Sequence, residues 1–146
     1  MNIKLIAFLV LCLIPMIGNA RVITDNEKDC LALNVYHEGR SESTLGQFMI
    51  MDVVNNRSKS KNYPTNLCDV IKQPKQFSWY NNGWKPARNK KVLHVIRKNE
   101  DEFYIIIAKN EISKGAMWYH TKNVKPRWRN SLKYVATIEN HIFYKK

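Results

Sequence analysis

Apolar positions along the chain fall into a few separated blocks, and their spacing predicts the elements. Thr24 followed by Glu27 is a capping-box pattern that opens a helix running to about Glu38. Leu31, Val35 and Glu38 share one face of it, and Gly39 fits the position just past its end. Ser43 or Thr44 caps a second helix to about Ser58, whose apolar residues, Leu45 to Val54, cover a wide arc; this predicts the central buried helix. Ser58 to Asn66 is polar and basic with Pro64, a surface loop, and Asn66 with Asp69 starts a short helix through Ile71. Lys90 to Asn99 reads as another helix. Asn99-Glu100-Asp101-Glu102 reads as a fresh N-cap with acids in its first turn, opening a further helix over Phe103 to Ile112. Tyr104 to Ile107 is also β-prone, so a strand is the alternative there, with helix preferred. Ala116 to His120 is short, aromatic and extended, and Val135 to Tyr144 suits a strand or hairpin. The sum is a mostly helical α+β domain with a small sheet near its C-terminal end.

Two segments fall outside that scheme. Pro74 to Lys90 has no period, yet it carries Phe77, Trp79, Tyr80 and Trp84. A long aromatic loop is either a binding wall or a small core of its own. At the other end, Lys4, the apolar run Leu5 to Ile17 and the small residues Gly18 and Ala20 make an export signal cleaved before Arg21. The run is shorter than the roughly 20 residues a spanning helix needs; an uncleaved anchor is the alternative. The expected division is therefore a signal at 1–20 and one domain at 21–146. The protein would work outside the cytoplasm, in the periplasm or beyond the cell, and would meet the membrane only through that signal.

Composition adds charge and redox setting. The 146 residues carry 24 Lys+Arg against 12 Asp+Glu, a net charge of +12. Only Lys4 belongs to the first twenty, so residues 21–146 hold 23 bases against 12 acids, +11. From Val70 to Asn99 there are eight Lys/Arg and no acid, around the aromatic loop. Such a domain favours an anionic partner: nucleic acid, an acidic membrane surface or an acidic wall polymer. Export leaves Cys30 and Cys68, which form one disulfide in an oxidising compartment or remain two buried thiols.

The candidate chemistry centres on Glu38, at the end of an apolar helix face. Desolvation there would raise its pKa toward the working range of a general acid. The plainer alternative is a salt-bridged helix-end residue. Arg40 would pull the pKa back if it came close. Glu42 could orient Arg40 or supply the second acid of a glycosidase pair. His37-Glu38 begins like His-Glu-x-x-His, but Ser41 stands where the second His belongs, and no close Cys or His spacing suggests zinc. No metal and no cofactor is expected. No Gly-x-Ser-x-Gly elbow and no Gly-rich phosphate loop is present.

Taken in order, these blocks resemble the SleB-like cell wall hydrolase family, the catalytic domain of spore cortex-lytic enzymes and many phage lysins. The family's Glu-Ala-Arg-Gly-Glu appears as Glu38-Gly39-Arg40-Ser41-Glu42, followed by Gly46-Gln47 and Val53-Val54-Asn55-Asn56-Arg57. Tyr63-Pro64, Cys68 to Ile71, Pro74 and Gln76-Phe77-Ser78-Trp79 follow, then Ala116 to His120, with Pro126 and Trp128, and a closing Ile138 to Tyr144. Gly39 and Ser41 depart from the family's Ala and Gly and leave Glu38, Arg40 and Glu42 in register. The resemblance implies a lysozyme-like single domain with a small antiparallel sheet near the C-terminus, acting as a monomer on peptidoglycan glycan strands. It implies a lytic transglycosylase with Glu38 as its catalytic residue, and a phage endolysin or small autolysin as its setting. Gln76, Phe77, Ser78, Trp118, Tyr119 and His120 would line the saccharide cleft, with Arg40 and Glu42 in support. The alternatives are a two-carboxylate muramidase, an amidase cutting the lactyl–peptide bond, and a secreted basic nucleic-acid or surface-binding protein. Wall polymer becomes the preferred anion, and nucleic acid is not expected.

Overall fold

The first helix begins where its capping box places it. In the computed structural model, which describes residues 21–109 and 111–146, helix α1 spans Asp25–Gly39 with Thr24 as N-cap. The expected export signal at 1–20 lies outside the described residues. The Thr24 hydroxyl accepts from the Glu27 N–H at 3.3 Å, and the Glu27 carboxylate accepts from the Thr24 N–H at 3.2 Å. Glu27 does more than the box requires. Buried, it also accepts the Leu67 N–H at 2.9 Å and pairs with Arg21. Burial pushes its pKa up, but the N–H groups of Leu67 and Thr24, the Thr24 hydroxyl and Arg21 outweigh it and hold the group below its usual value. One carboxylate thus joins the starts of two helices.

Helix α2 spans Thr44–Lys59 with Ser43 as N-cap, and helix α3 spans Leu67–Lys72 with Asn66 as N-cap. Cys30 on α1 and Cys68 on α3 form a disulfide, with Cα atoms 5.4 Å apart. Helix α1 packs on α2 and α3 and also on the last helix, so Leu31 to Tyr36 are all buried. The stripe of Leu31, Val35 and Glu38 therefore understates its burial, and α1 shares the centre with α2. Gly39 is not a left-handed cap. It is the last residue of α1, and a Cβ there would stand 2.4 Å from Ile50 Cδ1, so its missing side chain lets α1 and α2 close together.

Helix α4 is one unbroken element, Lys90–Ile107, capped by Asn89, whose side chain accepts from Lys91 and Val92. The expected break at Asn99 does not occur, and the helix stops short of Ile112. Asn99 donates to Gln47 of α2 at 2.8 Å instead of capping a new helix, and a polar residue inside a helix costs only tenths of a kcal/mol, roughly. Ile96 and Phe103, seven residues apart, both sink fully into the core, which favours helix over strand for the β-prone stretch.

The sheet has three antiparallel strands in the order β1-β3-β2: β1 Trp118–Thr121, β2 Lys133–Ile138 and β3 His141–Lys145. Tyr119 pairs with Phe143, and Ile138 with His141 across a turn in which Glu139 has a φ of 46°. Polar groups of α2 fasten this sheet to the helices. Asp52 accepts from the Ser113 N–H (3.0 Å) and hydroxyl (2.6 Å). Asn56 donates to Ser113 Oγ and Ala116 O, and Arg57 Nε to Met117 O at 2.7 Å. The aromatic loop divides its work. Phe77 and Trp79 are buried, the latter donating to Asn34 Oδ1 at 2.9 Å, while Trp84 stays 45% exposed. The observed architecture is the expected one, mostly helical α+β with a small antiparallel sheet at the C-terminal end.

Two stability measurements follow from these contacts. Replacing Cys30 and Cys68 together by Ser opens a loop of 38 residues and should lower unfolding stability by about 3–4 kcal/mol in urea titrations. Glu100 is buried on α4, and burial raises its pKa from 4.5 to about 8 against the Tyr104 hydroxyl that donates to it. A carboxyl with a raised native pKa contributes stability below its unfolded value and loses it as pH climbs through the native one. Glu100→Gln should therefore gain thermal stability over the wild type as pH rises from 5 to 9, with little difference at pH 5.

Candidate active site

Glu38 stands on the last turn of α1, where the helix meets the sheet. Tyr119, on β1, donates its hydroxyl to Glu38 Oε2 at 3.2 Å. A cavity of about 440 Å³ opens over this pair. Gln76, Phe77 and Ser78 come to it from the aromatic loop, Tyr119 and His120 from β1, Arg57 from α2 and His141 from β3. Five of the six residues expected to line a cleft are thus gathered around Glu38. Trp118 lines a second cavity, about 580 Å³, which borders the first through Gln76 and also includes Tyr63 and Met117.

The electrostatics follow from burial. Desolvation raises the Glu38 pKa, and the Tyr119 hydrogen bond, which favours the ionised form, offsets part of the rise. Burial and the neighbouring Glu38 push the Tyr119 phenol well above its usual range, so it stays a donor. Among the described residues Glu38 is the only carboxylate lining the cavity. The site is a carboxyl group whose pKa is raised by burial, with a hydrogen-bond donor on one side and aromatic walls.

The two proposed supporting residues stand elsewhere. Arg40 is exposed, donates to Tyr36 O at 3.3 Å, and lays its guanidinium 5.3 Å from the Tyr36 ring centre. It borders a different cavity with His37 and Lys85, and no ion pair joins it to Glu38. The reason is helical geometry: two residues on from Glu38, a side chain faces away from it. Glu42 neither orients Arg40 nor lines the cavity. It is buried and accepts from the Asn140 N–H (3.3 Å) and side-chain amide (2.9 Å), with His141 Nδ1 at 3.6 Å. Burial pushes its pKa up, but Asn140 and His141 outweigh that and keep it ionised, which does not suit a general acid.

Two residues absent from the expected cleft belong to it. His141 was legible only as part of the closing Ile138 to Tyr144 block. Burial lowers its pKa against the pull of Glu42, and the Tyr119 ring lies 5.2 Å away in an edge contact. Arg57 is 4% exposed, and its legible signal was its place in the Asn55-Asn56-Arg57 block that follows the apolar arc of α2. His120 is held between Tyr144, with which it stacks at 5.3 Å, and Trp128. His37 stacks on Trp79 at 4.4 Å. Among the described residues no three His, Cys, Asp or Glu side chains are grouped to hold a metal ion.

Residues 41–144 match the family described as Cell Wall Hydrolase. That span begins three residues after Glu38. Two solved structures are similar to the chain. One is the catalytic domain of the germination-specific lytic transglycosylase SleB from Bacillus anthracis, at 23% identity and a TM-score of 0.67, over 86% of this chain and 99% of that one. The other is the catalytic domain of the Bacillus cereus SleB protein, also 23% identical with a TM-score of 0.67, over 88% and 100%. At this identity the likeness establishes a common fold. No curated protein matches the sequence significantly.

The Tyr119–Glu38 bond has a measurable consequence. Tyr119→Phe removes a donor that favours ionised Glu38, so the Glu38 pKa should rise further. A titration of the Glu38 carboxyl by ¹³C NMR should move to higher pH in the variant, with the fold unchanged by circular dichroism.

Proposed function

The chain belongs to the cell wall hydrolase family, and we propose that it cleaves peptidoglycan glycan strands as a lytic transglycosylase with Glu38 as its acid and base. The observation that carries this reading is a single carboxyl group, its pKa raised by burial, in an aromatic, hydrogen-bonding cavity that no other carboxylate among the described residues lines. Two-carboxylate hydrolysis needs a second acid across the sugar. Glu42, the nearest candidate in sequence, is engaged by Asn140 instead.

The steps need one carboxylate in two protonation states. Neutral Glu38 protonates the glycosidic oxygen between N-acetylmuramic acid and N-acetylglucosamine as the C1–O4 bond breaks. The resulting carboxylate, steadied by the Tyr119 hydroxyl, takes the proton of the muramoyl 6-hydroxyl as O6 closes on C1. The product is a 1,6-anhydro end, no water is consumed, and Glu38 is again protonated. The raised pKa serves the first step, and the Tyr119 hydrogen bond the second. A wall substrate requires the folded domain to work outside the cytoplasm. Residues 1–20 would carry it there as an export signal, in agreement with a disulfide that an oxidising compartment sustains.

Digestion of purified peptidoglycan, followed by mass analysis, tests the reading. The wild-type protein should release anhydro-muropeptides, and Glu38→Gln should lose about 100-fold or more of that rate. Free reducing ends would mean hydrolysis, and chelator-sensitive release of free peptides would mean an amidase. Full activity in Glu38→Gln would remove Glu38 from the mechanism.

A further inference from the structure

Arg57 is a buried cation that no carboxylate among the described residues neutralises by an ion pair. Its Nε is engaged by Met117 O at 2.7 Å, and its guanidinium lies between the rings of Tyr63 and Phe77, 5.5 and 5.6 Å from their centres. Nη1 is buried without a hydrogen-bond partner, and no carboxylate among the described residues pairs with the group. Removing a guanidinium from water without a counter-charge is costly, and a rigid fork with a free donor suits a planar carboxylate or a carbonyl. Arg57 lines the same cavity as Glu38, with Tyr119 as their common neighbour: the phenol donates to Glu38 and feels the Arg57 charge.

The two sugars of the wall glycan share the N-acetylglucosamine frame. The muramoyl unit alone adds a lactyl ether on O3, ending in a carboxylate or, where a peptide is attached, an amide carbonyl. We propose that Arg57 is a specificity-determining residue that donates a hydrogen bond to the acyl oxygen of this lactyl group. The inference rests on the glycan-cleaving reading above. It gives the cavity a direction along the strand, since a lactyl oxygen at Arg57 puts the muramoyl unit, not its neighbour, beside Glu38. The partner missing from the buried cation arrives with the substrate.

Binding tests this independently of turnover. The full-length Glu38→Gln protein is titrated calorimetrically with three tetrasaccharides: alternating GlcNAc–MurNAc with free lactyl carboxylates, the same with L-alanyl amides, and GlcNAc alone. Both muramoyl ligands should bind about tenfold or more tighter than the GlcNAc oligomer. Adding Arg57→Gln should bring the three affinities together while leaving the GlcNAc oligomer unchanged. Arg57→Lys, which retains the charge but not the fork, should keep part of the preference, and it carries the comparison if the Gln variant does not fold. The proposal is overturned if the preference survives both substitutions, if all three ligands weaken in step, as loss of wall packing or of an N-acetyl contact would give, or if the parent protein shows no preference. Failure of the wild-type protein to cut glycan strands would count against the glycosidase reading alone.

Discussion

The structure depends on a buried polar seam along one side of α2. Asp52, Asn56 and Arg57 lie on a helix otherwise committed to the core, and each is anchored to the segment that leads into β1. Buried polar groups are costly unless satisfied, so these bonds specify one placement for residues 113–117 rather than a slippery apolar contact. From that placement β1 starts in a fixed register, and Tyr119 reaches Glu38 on α1, 81 residues away in the chain. A greasy interface of equal area would hold the sheet to the helices without deciding which residue faces the acid.

The site itself is arranged by contrasts of environment between carboxyl groups. Glu27, Glu38, Glu42 and Glu100 all sit in or against the core. Glu27 and Glu42 are held ionised because backbone or amide N–H groups converge on them. Glu38 has only one phenol and Glu100 only one phenol, so burial prevails and their pKa values rise. Desolvation and the number of donors together separate the carboxylates held ionised from the two whose pKa values rise. Glu100 satisfies the same electrostatic condition but lines no part of the Glu38 cavity, so its raised pKa is a cost to stability. Perturbed ionisation becomes functional only where a ligand can reach it.

The ends of the helices are secured separately from the site. The disulfide and the Glu27 carboxylate both tie α1 to α3, on the side of the domain away from Glu38. With α1 pinned at its start and pressed against α2 at Gly39, its last turn has little freedom. The basic aromatic loop packs Phe77 and Trp79 into the core and brings Gln76, Phe77 and Ser78 to the Glu38 cavity.

Local codes were legible in the chain itself. The capping residues Thr24, Ser43 and Asn66, the burial of α2, the short C-terminal sheet and the unusual carboxylate Glu38 could all be read from residue types at short spacing, because caps and periodicity act within one or two turns. Reading Asn99 as a cap failed because a contact with Gln47, 52 residues away, claimed its side chain. Arg40 and Glu42 were paired with Glu38 on grounds of proximity in sequence, and the helix turned one away while Asn140, across the fold, captured the other. Arg57 and His141 were missed for the opposite reason: each reaches the cavity from an element distant in sequence. The sequence by itself determined the first three helices, their starts and the carboxylate that closes α1. Only the tertiary structure decided which donor meets that carboxyl group and which side chains share its cavity, since hydrogen bonding and desolvation depend on neighbours in space.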